Sequence, residues 1–289
     1  MEHLLPTAPT FNLARSLDFV AVFPPCQGDF ALERDTLLGV FAVGGRAVPY
    51  RVAQPAPATL VVRTEDPAVV PLVAAFLGTG DQLAGFYRRA AGDVAAYRTI
   101  VRELRGLHHV RFRTLAEVTV HAVLGQRTPI AQASAMKRRV AAALGPSAEV
   151  AGRRLYAFPT FEQLLPLSAD DWHAILGHRA KADRLPGVIR GVAGLGEPCL
   201  RTVPYAVALA ALESLDGVGP FTAAMILLRG LGRMDDVPLD SPGLATIAAS
   251  VYGPAWNPAR IRARYGTDLG YWAYYLKAGA TRTRRSLAS

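Results

Sequence analysis

The sequence predicts a small α+β unit over residues 1–80 followed by an all-helical domain over 81–289. Three observations carry that reading. Runs rich in valine and phenylalanine crowd the first 65 residues, apolar residues recur at helical spacing from about residue 81, and no strand pattern returns after residue 65. A chain of 289 residues is long enough for two packed units. With 51% hydrophobic and 19% charged residues it is globular rather than disordered.

The elements run in order along the chain. Segments 18–23 ("DFVAVF"), 35–52 and 58–65 read as strands, with Gly44-Gly45 as a turn. Segment 66–78 reads as a helix with Asp66 as cap, Pro67 at its first position and Gly78 as its stop. Further helices are expected over 92–105, over 114–125 with Thr114 and Glu117 as a capping box, and over 128–145 with Thr128 as cap and Pro129 in the first turn. Segments 168–177, 180–196 and 204–215 come next, then a helix ending near Arg229, one starting near Ser241, and a last one over 268–279. The tail 281–289 reads as a frayed basic end.

The formal charge of +9 favours a polyanionic partner. Lysine occurs only at Lys137, Lys181 and Lys277, so arginine, which forks onto phosphate oxygens, carries nearly all the positive charge. Cys26 and Cys199 lie far apart and suggest neither a disulfide framework nor a metal cluster, and the histidines lack ligand spacing. No secretory signal and no bilayer-spanning run is visible, so a cytoplasmic protein without a metal or membrane partner is expected.

The stretch Gly217-Val218-Gly219-Pro220 joins Leu215 to an apolar helix. Glycine allows positive φ and close approach, and a helix N-terminus leaves N–H groups free, so the turn suits a phosphate. A plain corner between two helices fits the same residues.

Four stretches in order, "VLGQRTPIAQA" (123–133), "LGHRAKADRL" (176–185), "LDGVGPFTA" (215–223) and "DVPLDSPGL" (236–244), carry a resemblance. The chain resembles the helix-hairpin-helix DNA glycosylases, and most closely the bacterial 3-methyladenine DNA glycosylase II type. This implies an α+β N-terminal subdomain followed by an all-α helix-hairpin-helix DNA glycosylase domain. It also implies a monomer, associated with the bacterial nucleoid, that flips alkylated purines of the 3-methyladenine and 7-methylguanine type out of duplex DNA. Hydrolysis of the glycosidic bond then leaves an abasic site. An oxidised-purine glycosylase of the 8-oxoguanine type and a non-catalytic DNA-binding protein are the alternatives.

On this resemblance Asp240 is the catalytic carboxylate, stabilising positive charge on the sugar and orienting water. Asp240 or Ser241 acting only as a helix cap is the competing reading, and Asp235 and Asp236 are the fallback carboxylates. In many relatives the aspartate falls one place later relative to the hairpin, where this chain has Ser241. Gly217, Val218 and Gly219 are expected to offer N–H groups to a phosphate, with Thr222 helping through its hydroxyl. No cofactor is expected beyond a monovalent cation at that contact. Phe221 stands where strand-nicking relatives carry a lysine, which implies no lyase activity. Phe221, Tyr271 and Trp272 are the aromatic candidates for a base pocket, with core packing as the competing reading for each. Lys277 lies where some relatives carry a base-stacking tryptophan. Gln126 and Arg127 stand where relatives insert a wedge into the duplex; for Arg127 a phosphate contact fits equally.

Overall fold

The structure is a computed structural model and describes residues 1–286. Five antiparallel strands, β1 (Glu2–Pro6), β2 (Ala31–Glu33), β3 (Thr36–Val43), β4 (Arg46–Ala56) and β5 (Thr59–Thr64), form a sheet in the order β1-β5-β4-β3-β2. Gly44 and Gly45, with φ of 54° and 74°, close the β3–β4 hairpin, because a two-residue turn that follows strand twist needs positive φ. One face of the sheet packs Phe41, Val48, Val52 and Val62 against α1 (Leu13–Val22) and α2 (Val69–Leu77).

Helix α1 corrects the expected strand at 18–23. Leu13, Ser16, Leu17 and Val20 are its buried residues, at the i, i+3, i+4, i+7 spacing of one helix face. A reading that starts at Asp18 sees only the second half of that stripe. Helix α2 stops at Gly78, whose φ of 61° supplies the left-handed cap.

The rest of the chain is mostly helical and packs around two cores. One is formed by α3 (Ala84–Ala91) and α4 (Ala95–Glu103) with the C-terminal part of the chain. The other is formed by α5 (Leu115–Leu124), α6 (Ile130–Leu144), α7 (Phe161–Leu164), α8 (Ala169–Leu176), α9 (Arg179–Leu195), α10 (Glu197–Thr202), α11 (Tyr205–Glu213) and α12 (Pro220–Met225). The chain then returns to the first of these cores through α13 (Pro242–Tyr252), α14 (Pro258–Tyr265) and α15 (Leu269–Ser286). Helix α15 carries the basic tail onward as helix through Ser286, where fraying was expected.

This part is not all helical. Strands β6 (Ser147–Val150) and β7 (Arg153–Tyr156) pair around Ala151 and Gly152, both at positive φ. Val150 and Leu155 pack on Leu38 and Val40, covering the second face of β3. The strands escaped the sequence reading because they are short and flanked by helix-forming residues.

Local capping is partly as expected. Thr114 accepts from the Glu117 N–H at 3.1 Å, but the Glu117 carboxylate reaches the Arg113 N–H rather than closing the box. Thr128 does not cap α6; its hydroxyl donates to the Gln126 carbonyl. Four buried charges tie the sheet unit to α5 and α6. The Arg113 guanidinium meets Glu117 at 2.9 Å and Asp29 at 3.3 Å, and the Lys137 ammonium meets Glu117 at 2.6 Å and also pairs with Asp29. Burial alone would raise the Glu117 pKa, yet Arg113 and Lys137 together hold it well below the usual carboxylate range.

Candidate nucleic-acid interface and cleft

The hairpin between α11 and α12 is held from inside. Val218 is buried in the core beneath it, and its N–H is bonded to the Leu215 carbonyl at 3.0 Å. The Gln126 amide donates to the Gly217 carbonyl at 2.8 Å and to the Thr222 hydroxyl at 3.1 Å, while its oxygen accepts from Arg184 at 2.8 Å. Three sequence expectations change here. The Val218 N–H is already used, the buried Thr222 hydroxyl faces Gln126 rather than solvent, and Gln126 braces the hairpin instead of entering a duplex. The signal for Gln126 is its length, which lets it span from the α5–α6 junction to the turn.

Gly217 and Gly219 play different parts. Gly217 sits at φ 83°, which the turn itself requires. Gly219 has ordinary φ of −89°, and a methyl group there would meet nothing within 4 Å. Packing therefore gives no reason for glycine at 219. Among the described residues the N–H groups of both glycines have no main-chain partner, and those of Phe221 and Thr222 open α12. The Leu215 and Gly217 carbonyls each accept one hydrogen bond, which leaves a lone pair on each for an oxygen-ligated monovalent cation.

Beside the hairpin lies a cleft of about 760 Å³, bounded by α1, α12, α13 and α15 where the three cores meet. Its walls are mainly apolar and aromatic. Phe221 lines it with 63% of its surface exposed, so it is not a core residue. Ile130, at the start of α6 and 49% exposed, lines the cleft close in sequence to Arg127. Arg127 itself is exposed and held at φ 51°. The sequence reading missed Ile130, although a large apolar residue in a first helical turn beside a polar junction is a signal.

Two aromatic expectations are corrected. Tyr271 is buried and donates to the Asp81 carboxylate; Trp272 is buried, donates to the Tyr252 hydroxyl at 2.8 Å and stacks on Trp256 at 5.9 Å. Neither lines the cleft, whereas Tyr274 and Lys277 of the same helix do. The helical period was legible, but with every aromatic of this segment buried the sequence did not show which stripe faces the opening. The Lys277 side chain is reachable from the cleft, and surrounding protein with Arg229 lowers its pKa.

Pro238 and Ser241 line the cleft mouth, and Asp240 between them is exposed. The fallback carboxylates are engaged elsewhere: Asp235 pairs with Arg233 at 3.1 Å and Asp236 with Arg262 at 2.5 Å. At the cleft floor the chain widens into a π turn, Ile226–Gly230, which carries Arg229. Its guanidinium lies 4.4 Å from the Phe23 ring centroid, 5.4 Å from that of Phe19 and 5.7 Å from that of Tyr274. It donates to His109 Nε2 at 3.0 Å. Burial, aided by the charges of Arg229 and Arg111, keeps His109 neutral, well below its usual pKa.

Known structures share this fold. A 3-methyladenine DNA glycosylase from Archaeoglobus fulgidus superposes over 95% of this chain and 96% of its own, with a TM-score of 0.79 at 21% identity. This chain has the helix-hairpin-helix glycosylase fold. The same fold extends to an 8-oxoguanine glycosylase/lyase from Clostridium acetobutylicum bound to duplex DNA, with a TM-score of 0.73 at 16% identity over 98% of both chains. In sequence, 178 residues are 28% identical to a DNA-3-methyladenine glycosylase of Bacillus subtilis, covering 61% of this chain and 58% of that relative, less than two thirds of its length. No protein-family model matches the chain. Among the described residues no helix is long and apolar enough to cross a membrane, and no three histidine, cysteine, aspartate or glutamate side chains cluster as a metal site.

Proposed function

We propose that the protein is a DNA glycosylase that hydrolyses the glycosidic bond of alkylated purines in duplex DNA and leaves an abasic site. The observation that carries this is the cleft: a cavity of about 760 Å³, walled by Phe221 and Tyr274, opening between the hairpin and the Asp240 loop. The free N–H groups at Gly217, Gly219 and the start of α12 take a backbone phosphate, which needs the bare surface at Gly219. A monovalent cation bound at the Leu215 and Gly217 carbonyls would add positive charge at that phosphate. The hairpin thereby holds the strand while a nucleotide leaves the stack, at a cost of a few kcal/mol. Arg127 in the α5–α6 junction, or Ile130 at the start of α6, fills the gap it leaves.

Within the cleft the Phe221 ring stacks on the flipped base. N3- and N7-alkylpurines carry positive charge and leave readily, so a strong general acid is unnecessary. The Asp240 carboxylate faces the charge that grows on the sugar and orients the water that attacks it. Phe221 offers no amine, so water and not the hairpin attacks C1′, and the strand stays unbroken. The similarity to 3-methyladenine glycosylases supports this substrate class over oxidised purines. The protein acts as a monomer on nucleoid DNA.

The test is Asp240→Asn. Release of methylated purine should fall at least about a hundred-fold, as for loss of a group that stabilises transition-state charge, while duplex binding and melting temperature stay near wild type. Undiminished release would remove Asp240 from the mechanism. Loss confined to Asp235 or Asp236 variants would move the role to those residues.

A further inference from the structure

We infer that Lys181 is a positioning residue: through Gln126 it locks the α5–α6 junction to the hairpin, so that gripping the strand and driving Arg127 into the duplex act as one step. The inference rests on the glycosylase reading and adds to it the part that couples its two DNA contacts. Lys181, near the start of α9, is buried, and among the described residues no carboxylate pairs with it. The neighbouring Asp183 is taken by Arg179 at 2.9 Å. The Lys181 ammonium donates instead to the Gln126 carbonyl at 2.9 Å and lies 3.5 Å from that of Val123. It thereby sits where the C-terminal end of α5 favours a cation. Arg184, one turn further along α9, donates to the Gln126 side-chain oxygen at 2.8 Å. Like charges one helical turn apart oppose each other, yet both of these end on the same neutral residue.

Gln126 has no polar group to spare. Its N–H donates to the Val123 carbonyl at 3.2 Å, and its carbonyl accepts from the Thr128 hydroxyl at 3.0 Å as well as from Lys181. Its amide donates to the Gly217 carbonyl and the Thr222 hydroxyl, both in or beside the hairpin. The residue that follows is strained. Arg127 stands at φ 51°, a region that side-chain-bearing residues rarely adopt and that persists only where the surroundings over-determine it. Its own contacts do not hold it there, because the side chain is exposed and makes no hydrogen bond or ion pair among the described residues. The fixed Gln126 before it does. Ile130 stands on regular helix without such strain, so the clamp acts on Arg127. A wedge already held at a set place from the gripped phosphate gives up little freedom when it enters the stack. With the junction free to drift, the hairpin could hold the strand while the arginine missed its gap.

The experiment measures release of one methylated purine from a fully paired duplex and from a duplex in which the same base is mispaired. Wild type and Lys181→Met are compared, with melting temperature and the salt dependence of duplex binding followed in parallel. Methionine keeps the length, and the Gln126 carbonyl keeps its bond from Thr128, so no buried group is stranded. Release from the paired duplex should fall at least about ten-fold and from the mispaired one less than about two-fold, because a mispaired base has already lost much of what the wedge replaces. The salt slope should stay that of the wild type, since a buried ammonium touches no phosphate. Equal slowing on both duplexes, or a changed salt slope, would overturn the inference. Should the methionine variant fail to fold, Gln126→Leu breaks the same link from the half-buried side: its ratio of paired to mispaired release should drop at least about five-fold, and an unchanged ratio would overturn the inference. Fluorescence of 2-aminopurine in a paired duplex, which rises on unstacking, separates the two readings. Unstacking by the wild type but not by Lys181→Met, with no alkylpurine released by either, refutes the glycosylase reading and leaves the clamp standing. Release of alkylpurines with one ratio in wild type and variant refutes the clamp alone.

Discussion

Two buried charged sites in this molecule are built on opposite plans. Around Asp29, Arg113, Glu117 and Lys137 two cations meet two anions, and each carboxylate is shared between both cations. At the cleft floor Arg229 faces three rings and one neutral histidine, with two nitrogens unpaired. The closed set is wholly buried, whereas Arg229 is half-buried in the wall of a cleft, so environment is part of the contrast. A closed set of charges holds elements together and has nothing left to bind. An open one rests its cation on ring faces and leaves polar atoms unpaired, as buried positions such as Tyr50 and Trp172 also do.

Stability separates the two sites most strongly. Lys137→Met leaves two buried carboxylates with Arg113 alone and should cost about 3–5 kcal/mol, the usual penalty for breaking a buried pair from one side. Arg229→Met removes a charge that has no anion to strand, and should leave stability within about 1 kcal/mol of wild type or raise it. Chemical denaturation of the two variants reads both numbers. Equal losses would erase the contrast, because Arg229 would then be structural.

Acid should act first on the buried histidines and then on the closed site. His108, His109 and His121 have folded pKa values below 6.5, that of His121 pushed down to about 3 by burial, so each gives stability that is complete above pH 6.5. That stability is lost as pH falls and the unfolded state takes up protons first. Glu117 is also depressed, so its contribution is complete above its ordinary value near 4.5 and declines below it. The melting temperature should therefore fall below pH 6.5 as the unfolded histidines take up protons, with Glu117 adding to the slope below pH 4.5. In Glu117→Gln, itself less stable, the slope added below pH 4.5 should shrink; an unchanged slope there would assign it to other carboxylates.

The hairpin matters least to stability. Gly219→Val should leave the melting temperature within a degree or two, roughly the effect of a surface change, yet weaken binding to damaged and undamaged duplex alike. Gly217→Val should lower both, because its φ of 83° strains any side chain. If Gly219→Val binds duplex as the wild type does, the hairpin is a plain corner after all.

Much of this was legible in the sequence, and the failures have physical causes. Gly44-Gly45, Gly78 and Gly217 were readable because a backbone angle demanded them. That Pro238 and Ser241, flanking Asp240, line the cleft was suggested only by the resemblance of segment 236–244. Helix α1 was misread because valine and phenylalanine suit either element, and only the complete stripe from Leu13 to Val20 decides. The roles of Gln126 and Thr222 were hidden because each depends on the other, 96 residues away in the chain. Arg229 gave no local signal, since an unpaired charge is defined by what does not surround it.

The π turn at Ile226–Gly230 also limits how this stretch can change over evolution. A π turn holds one residue more than an α-helical turn, so deleting a single residue there would restore ordinary winding and rotate the downstream chain by about 100°. Arg229 would swing off the floor and the loop bearing Asp240 would be dragged with it. The two positions are geared to one shaft. Substitutions in this segment can be tolerated one at a time, whereas a change in its length should disable both ends together, which makes the spacing between them a stricter signature than either residue.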